Sequence, residues 1–223
     1  SVSLTGLKAG TTYVYRVGDG EKWSENMTFT TSQPDADATR FFVIGDTQLS
    51  GSAESDQAEI GLMNNIAKHI SGQSMNFGIQ TGDFVDNGGN LVQWSEILDV
   101  FGQNYADVPV VQVMGNHEYY GDLSGSNASK LWTLPDRLYY SVEYGDVYVA
   151  VINFAANLEE ACQWLIQDAA KSDCTWKVLA VHQPASYTNP NGSSEAFNRY
   201  IPSAAEAAGI NVVFSGHDHS YAR

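Results

Sequence analysis

The stretch "NFGIQTGDFVDNGGNLVQWSEILDVFGQNYADVPVVQVMGNHE" (residues 76–118) holds the pattern that decides the fold. A short apolar run ends in a polar Gly-Asp motif, a segment with helical periodicity follows, and a second apolar run ends in a second polar motif. Apolar runs of strand length that alternate with helices are typical of strands buried on both faces. The stretch therefore predicts two strands of a layered α/β domain, joined by a helix.

The same alternation extends in both directions from this stretch. Further apolar runs occupy residues 40–46, 138–154, 176–184 and 210–219, and helical patterns lie between them. This predicts a layered α/β/α domain over residues 40–223. Residues 1–32 instead show two alternating runs around a "GDG" turn, and residues 33–39 are polar and read as a linker. Because two or three strands do not form an independent sandwich, we expect residues 1–32 to be the last strands of a larger β domain. We also expect the α/β domain to continue beyond residue 223.

Composition narrows the function classes. The chain has 223 residues, 43% of them hydrophobic, and a formal net charge of −15. This charge argues against general nucleic-acid binding, which needs a basic surface. No apolar segment approaches the ~20 residues of a membrane span. The acidity is compatible with bound cations, which would reverse the local field for an anionic substrate.

The two cysteines, Cys162 and Cys174, bracket a predicted helix. A disulfide between them would need the chain to fold back after Ala170, because ~12 helical residues separate the ends by ~18 Å. We expect two free thiols, with the disulfide as the alternative.

Polar motifs follow the predicted strands of the α/β domain at their carboxyl ends, where open α/β sheets bind ligands. The motifs are "GDTQ" (45–48), "GDFVDNGG" (82–89), "GNHE" (115–118), "HQP" (182–184) and "GHDH" (216–219). They hold four of the five histidines, and the remaining one, His69, lies in a predicted helix. His217 and His219 are two residues apart, so in an extended segment both would face one point. A loop at residues 183–192 could line a substrate pocket or form a rim without contacts.

The donor set exceeds the four ligands of a structural zinc site. Mixed oxygen and nitrogen donors of this number suit two divalent metals that share a bridging carboxylate, an arrangement used to hydrolyse phosphate esters. The candidate ligands are Asp46, Asp83, Asn116, His182, His217 and His219, with Gln48 as a possible seventh.

The order GD, GDxxD, GNHE, strand-end His and GHxH resembles the calcineurin-like metallophosphoesterases. Residues 4–31, "LTGLKAGTTYVYRVGDGEKWSENMTFTT", resemble the end of the fibronectin-like domain that precedes the catalytic domain in purple acid phosphatases. Together the resemblance covers nearly the whole chain. It implies two divalent metal ions (Mn, Fe or Zn) and hydrolysis of small-molecule or nucleotide phosphoesters by in-line attack of a metal-bound hydroxide. It also implies secretion or display at the cell surface.

The resemblance further implies a role for each motif residue. Asp46 and His219 would hold the first metal, and Asp83 would bridge both. The second metal would be completed by Asn116, His182 and His217. His117 would contact the phosphate and assist the leaving group without binding metal. Glu118 and Asp218 would orient imidazole rings.

Two residues depart from the family pattern. Many members have a histidine where this chain has Gln48, and purple acid phosphatases have a tyrosine ligand where it has Asp86. Asp86 could bind a metal or only orient a ligand, and the metal identities stay open. The resemblance of the N-terminal residues to purple acid phosphatases favours a phosphate monoesterase. A phosphodiesterase or nucleotidase with the same metals is the first alternative, and a non-catalytic binding module on the same fold is the second.

Overall fold

The structure, a computed structural model, describes residues 3–33, 35–48, 53–135, 138–186 and 194–223. Part of the 183–192 loop therefore lies outside the described residues. The strands in chain order are β1 Thr12–Tyr15, β2 Met27–Thr30, β3 Phe41–Ile44, β4 Phe77–Gln80, β5 Val110–Gln112, β6 Tyr139–Tyr144, β7 Val147–Ile152, β8 Trp176–Val181 and β9 Val212–Phe214. The helices are α1 Ala53–Ser71, α2 Leu91–Tyr105, α3 Ser126–Trp132, α4 Leu158–Ala169 and α5 Glu195–Ala207, with a 3-10 helix at His117–Tyr119.

Three of the helices begin at polar residues that satisfy the first free amide groups. Asn90 caps α2 and Asn157 caps α4, each by accepting from two backbone amides, and Ser194 caps α5. Such caps stabilise a helix start by ~1 kcal/mol each. The caps of α2 and α5 come shortly after strand-end motifs and fix where the chain turns back from the sheet edge.

The strands form three sheets. β1 and β2 are an antiparallel hairpin, and β3, β4 and β5 form a parallel sheet. The third sheet has the order β6-β7-β8-β9, in which β6 is antiparallel to β7 and the other neighbours are parallel. The Gly145–Asp146 turn joins β6 to β7, with Gly145 at a φ of 60°.

The two larger sheets pack face to face. Their inner faces share one core, which contains Phe77, Ile79, Val113, Val147, Val149, Val151, Val178 and Ala180. α1 and α2 pack on the outer face of the β3-β4-β5 sheet, and α4 and α5 pack on the outer face of the other. The predicted layered α/β class is confirmed. Two sheets, rather than the one expected, lie between the two layers of helices. A strand buried between a helix and a second sheet has the same apolar pattern as one buried between two helices, so the sequence does not separate these cases.

The β1–β2 hairpin is attached to the α/β body by polar contacts. The Tyr15 hydroxyl donates to the Ala106 carbonyl at the end of α2 (2.6 Å), and the Tyr144 hydroxyl donates to the Thr30 carbonyl (2.9 Å). The two alternating runs predicted within residues 1–32 are thus present as the strands of a hairpin that docks on the α/β body. The division at residues 33–39 and the fibronectin-like character of residues 1–32 stay predictions.

Both cysteines are free thiols, as expected. Burial raises the pKa of Cys162 to about 11, so this thiol is protonated and unreactive near neutral pH. Among the helices of the described residues, none combines the length and the apolar character needed to cross a membrane.

Candidate metal centre

The carboxyl ends of five strands converge at one edge of the molecule. β3, β4 and β5 are parallel to one another, and so are β8 and β9, and the motifs that follow these five strands meet at one edge. Backbone hydrogen bonds continue past the strand ends and tie the motifs together. The Asp46 amide donates to the Gly82 carbonyl (3.0 Å), and the Gly216 amide donates to the His182 carbonyl (2.9 Å).

Four side chains form what we call the inner group: Asp83, Asn116, His182 and His217. His182 Nε2 lies 3.1 Å from Asp83 Oδ2, 3.0 Å from Asn116 Oδ1 and 3.2 Å from His217 Nδ1. Ligand atoms of Asp83, His182 and His217 all lie within 4.8 Å of one another. Carboxylate, amide and imidazole atoms that share a pocket in this way offer lone pairs to a cation.

The tautomer of His182 suits metal binding. Its Nδ1 lies 2.9 Å from the Thr81 carbonyl, which can only accept a hydrogen bond, so Nδ1 carries the proton and Nε2 faces the inner group. Burial alone would lower the pKa of His182, but the carboxylates of Asp83 and Asp46 and the Thr81 carbonyl together raise it. Burial likewise would raise the pKa of Asp83, but the interactions with His182 and His117 together keep it lowered. The Asp83 carboxylate therefore stays ionised near neutral pH.

Three further candidates form the outer group: Asp46, Gln48 and His219. His219 Nε2 lies 3.5 Å from Asp46 Oδ1, and the His219 side chain is 58% exposed. The Asp46 carboxylate accepts the His217 amide at 2.8 and 3.0 Å. Burial raises the pKa of Asp46, and the nearby Asp83 carboxylate adds to the rise against the opposing effect of His182.

Gln48 has one amide orientation that satisfies its surroundings. With its nitrogen toward the backbone, the amide donates to the Asp46 and Asp83 carbonyls at 3.2 Å each. The other end of the amide lies 3.4 Å from His219 Nε2. In this orientation the amide oxygen joins the outer group as a neutral donor.

Four candidate ligands have left-handed backbones. Asp46, Asp83, His217 and His219 have φ values of 52°, 53°, 73° and 48°. Such conformations cost ~1–3 kcal/mol each in residues other than glycine and cluster at functional sites. The prediction that His217 and His219 lie in an extended segment and face one point is wrong. β9 ends at Phe214, and His217 faces the inner group while His219 faces the outer group.

Two glycines leave room for the carboxylates. A Cβ at Gly115 would lie 2.2 Å from Asp83 Oδ1, and a Cβ at Gly216 would lie 2.4 Å from Asp46 Oδ2. Neither distance is possible for a larger residue without moving the carboxylate. The donor chemistry and this close approach both fit bound divalent cations.

Asp86 orients the His117 ring through contacts with its Nδ1 atom. His117 Nδ1 lies 2.7 Å from the Asp86 carbonyl and 3.3 Å from Asp86 Oδ1. Since the carbonyl accepts, Nδ1 carries a proton and Nε2 is the atom that faces the centre, 3.8 Å from Asp83 Oδ2. The Asp86 carboxylate thus contacts the ring of His117.

Glu118 is fully buried and accepts four backbone amides. They belong to Asp83, Phe84, Val85 and Gly115, at 2.6 to 3.4 Å. Burial raises the pKa of Glu118 to about 7, and the Asp83 carboxylate adds to the rise. The expected role of orienting an imidazole does not describe these hydrogen bonds, since they hold the main chain on either side of the inner group.

Asp218, the other residue expected to orient an imidazole, lies between His217 and His219 in the chain. Its amide donates to the Gly216 carbonyl, and its carboxylate acts on His217 electrostatically by raising the pKa of that imidazole. Burial, the largest effect, still leaves the pKa of His217 lowered.

Sequence reasoning missed Tyr120 and Thr81. The Tyr120 hydroxyl accepts from Asn116 Nδ2 at 3.0 Å, and Thr81 supplies the carbonyl that orients His182. A spacing of one helical turn from Asn116 could have pointed to Tyr120. The neighbouring Tyr119 contacts the Met114 sulfur instead (3.9 Å).

Comparison with known proteins decides the family. The family model for calcineurin-like phosphoesterases matches residues 39–221. The chain belongs to the calcineurin-like phosphoesterase family. A second family model, the N-terminal domain of purple acid phosphatases, matches residues 1–31 of this chain.

Curated proteins from Arabidopsis thaliana are similar to this chain. Purple acid phosphatase 22 is 27% identical over all of this chain and 52% of its own length. Purple acid phosphatase 15 is 24% identical over all of this chain and 48% of its own length. The chain thus spans about half the length of these relatives.

Solved structures show the same fold. A purple acid phosphatase from yellow lupin seeds aligns with a TM-score of 0.81 at 18% identity, over 96% of this chain and 45% of its own. A dimetal phosphatase from Danio rerio aligns with a TM-score of 0.59 at 16% identity, over 81% of this chain and 82% of its own.

Proposed function

We propose that this chain carries the catalytic site of a dinuclear, metal-dependent phosphoesterase that hydrolyses phosphate monoesters. The observation that carries the proposal is the inner group, in which His182 Nε2 lies 3.0 to 3.2 Å from ligand atoms of Asn116, Asp83 and His217. The outer group beside it offers donors for a second cation. Two neighbouring cations repel each other, and the Asp83 carboxylate is the anion placed to offset this.

Each group would hold one metal ion, with Asp83 common to both. The inner group would hold one divalent ion, and Asp46, His219 and the Gln48 oxygen would hold the other, with Asp83 shared. The inner group, with two imidazoles, accepts zinc, iron or manganese, whereas the oxygen-rich outer group favours manganese or magnesium. Bound there, the two ions would supply an activated water and neutralise charge on the phosphoryl group.

The remaining chemistry falls to His117. Its Nδ1 proton is engaged by Asp86, so Nε2 is the only ring atom that can exchange a proton with a substrate. Protonated at Nε2, the ring would donate to a phosphate oxygen or to the leaving group. Such a positioned acid contributes ~10²–10⁴-fold to the rate.

The match of residues 1–31 to a purple acid phosphatase domain supports monoesters as substrates and secretion as the destination. The test is metal analysis of protein purified without chelators, followed by hydrolysis of p-nitrophenyl phosphate and bis-p-nitrophenyl phosphate. We expect two metals per chain and faster hydrolysis of the monoester. Faster hydrolysis of the diester would favour a phosphodiesterase, and a metal-free, inactive protein would favour a binding module.

A further inference from the structure

Tyr120 is anchored at the rim of the metal centre. Its amide donates to the His117 carbonyl (3.1 Å), and its carbonyl accepts the Gly89 amide (2.9 Å). The main chain is therefore fixed from two sides, although the residue is 49% exposed. Its ring lies 4.5 Å from the ring of His117, centroid to centroid. A fixed backbone and a neighbouring ring limit the positions that the phenol can reach.

The phenol oxygen contacts a candidate ligand directly. Asn116 Nδ2 donates to the Tyr120 hydroxyl at 3.0 Å, while Asn116 Oδ1 lies 3.0 Å from His182 Nε2. The phenol thus binds the nitrogen of the Asn116 amide at the rim, and the amide oxygen lies among the ligand atoms of the inner group.

We propose that Tyr120 is a positioning residue that keeps the Asn116 amide oriented with its oxygen toward the inner metal. The proposal rests on the proposed function, because it requires a cation in the inner group. An amide binds a cation through its oxygen, and its NH₂ then needs an acceptor elsewhere. The phenol oxygen supplies that acceptor without adding charge.

Metal binding and this hydrogen bond strengthen each other. A cation on Oδ1 polarises the amide and makes Nδ2 a better donor, and a hydrogen bond accepted from Nδ2 makes Oδ1 a better ligand. Loss of such a supporting partner typically weakens metal binding ~10–100-fold. Because the phenol is half exposed and water can replace it in part, we expect the lower end of this range.

The effect should be confined to one metal. Asn116 belongs to the inner group, whereas the described contacts of Asp46 and His219 do not include Tyr120. A general loss of structure would weaken both sites, but loss of the Tyr120 hydroxyl should weaken only the inner one.

The test is titration of chelator-treated protein with Mn²⁺ and with Zn²⁺ by calorimetry. Tyr120→Phe keeps the ring against His117 and removes the hydroxyl, and we expect ~10-fold weaker binding of one metal with the other unchanged. Tyr119→Phe is the matched control, because that hydroxyl contacts only a sulfur atom among its described partners, and both affinities should stay at the wild-type value.

A double-mutant cycle separates positioning from any other role of Tyr120. In an Asn116→Ala background, Tyr120→Phe should cause no further loss of affinity. An equal loss in both backgrounds, or wild-type affinities in Tyr120→Phe, would overturn the proposal while leaving the proposed function intact. A wild-type protein that binds neither ion would contradict the proposed function itself.

Discussion

The inner and outer groups differ in how their side chains are held. In the inner group, Asp83 and His182 are buried, and each has hydrogen bonds that fix its orientation. In the outer group, the His219 side chain is 58% exposed and the His219–Asp46 distance is 3.5 Å. Preorganised ligands bind a metal more tightly because less entropy is lost on binding. The difference therefore predicts a tight inner site and a weaker, more exchangeable outer site.

Removal of the shared carboxylate should have the largest effect. Asp83→Asn keeps the size of the side chain but removes the charge that offsets two cations, and we expect loss of at least one metal. Without both metals the transition state loses several kcal/mol of stabilisation, so we expect turnover to fall by ~10³-fold or more. Metal analysis and hydrolysis of p-nitrophenyl phosphate are the measurements.

Asp99→Asn is the control for this change, since Asp99 is an exposed aspartate of α2. It should retain wild-type activity. Two metals per chain and full turnover in Asp83→Asn would remove the basis for a shared carboxylate.

Replacement of His117 separates proton transfer from metal binding. His117→Ala should lower turnover by ~10²–10⁴, the usual contribution of a positioned acid. Both metals should remain bound, because Nε2 of His117 lies 3.8 Å from Asp83 and outside the inner group. His69→Ala, an exposed histidine of α1, should change neither quantity. Loss of metal from His117→Ala would mean that His117 is a ligand.

Glu118 holds the main chain around the inner group, so its replacement should lower the stability of the fold. Glu118→Gln keeps the shape, but its NH₂ would face backbone amides that now donate to a carboxylate oxygen. An unsatisfied buried donor costs ~1–3 kcal/mol, so we expect a loss of this size in the free energy of unfolding. Urea unfolding of the metal-free protein measures it, with Glu96→Gln on the exposed face of α2 as control. A Glu118→Gln protein as stable as the wild type would contradict this role.

Much of the centre could be predicted because ligand type and strand-end position are local properties. The motifs at Asp46, Asp83, Asn116 and His182 each follow a largely apolar strand, and parallel strands bring their ends together. The separation of His217 from His219 could not be predicted in this way. It depends on left-handed backbones after β9, which tertiary contacts hold against their local cost.

The role of Glu118 could not be predicted from the sequence either. A carboxylate beside a histidine motif suggests an imidazole partner, but the 3-10 helix turns Glu118 inward to four amides. The presence of two packed sheets could not be predicted for a related reason. All six residues of β7 are buried, and burial on both faces does not reveal whether a helix or a sheet covers each face.

The smallest effect is expected at Gln48, where the outer group can be strengthened. Gln48→His replaces a neutral amide oxygen with an imidazole, a better ligand for zinc or iron. The change also removes the two hydrogen bonds that the amide can donate to the Asp46 and Asp83 carbonyls, each worth ~0.5–1.5 kcal/mol. These terms oppose each other, so the outer site should bind zinc more tightly by less than ~10-fold, with activity retained.

Competition with a zinc chelator measures the affinities of the inner and outer sites separately. If the inner affinity changes instead of the outer one, Gln48 does not belong to the outer group. If both stay at the wild-type values while Gln48→Ala is equally neutral, Gln48 is not a ligand, and Asp46 and His219 must hold the outer metal with Asp83 alone.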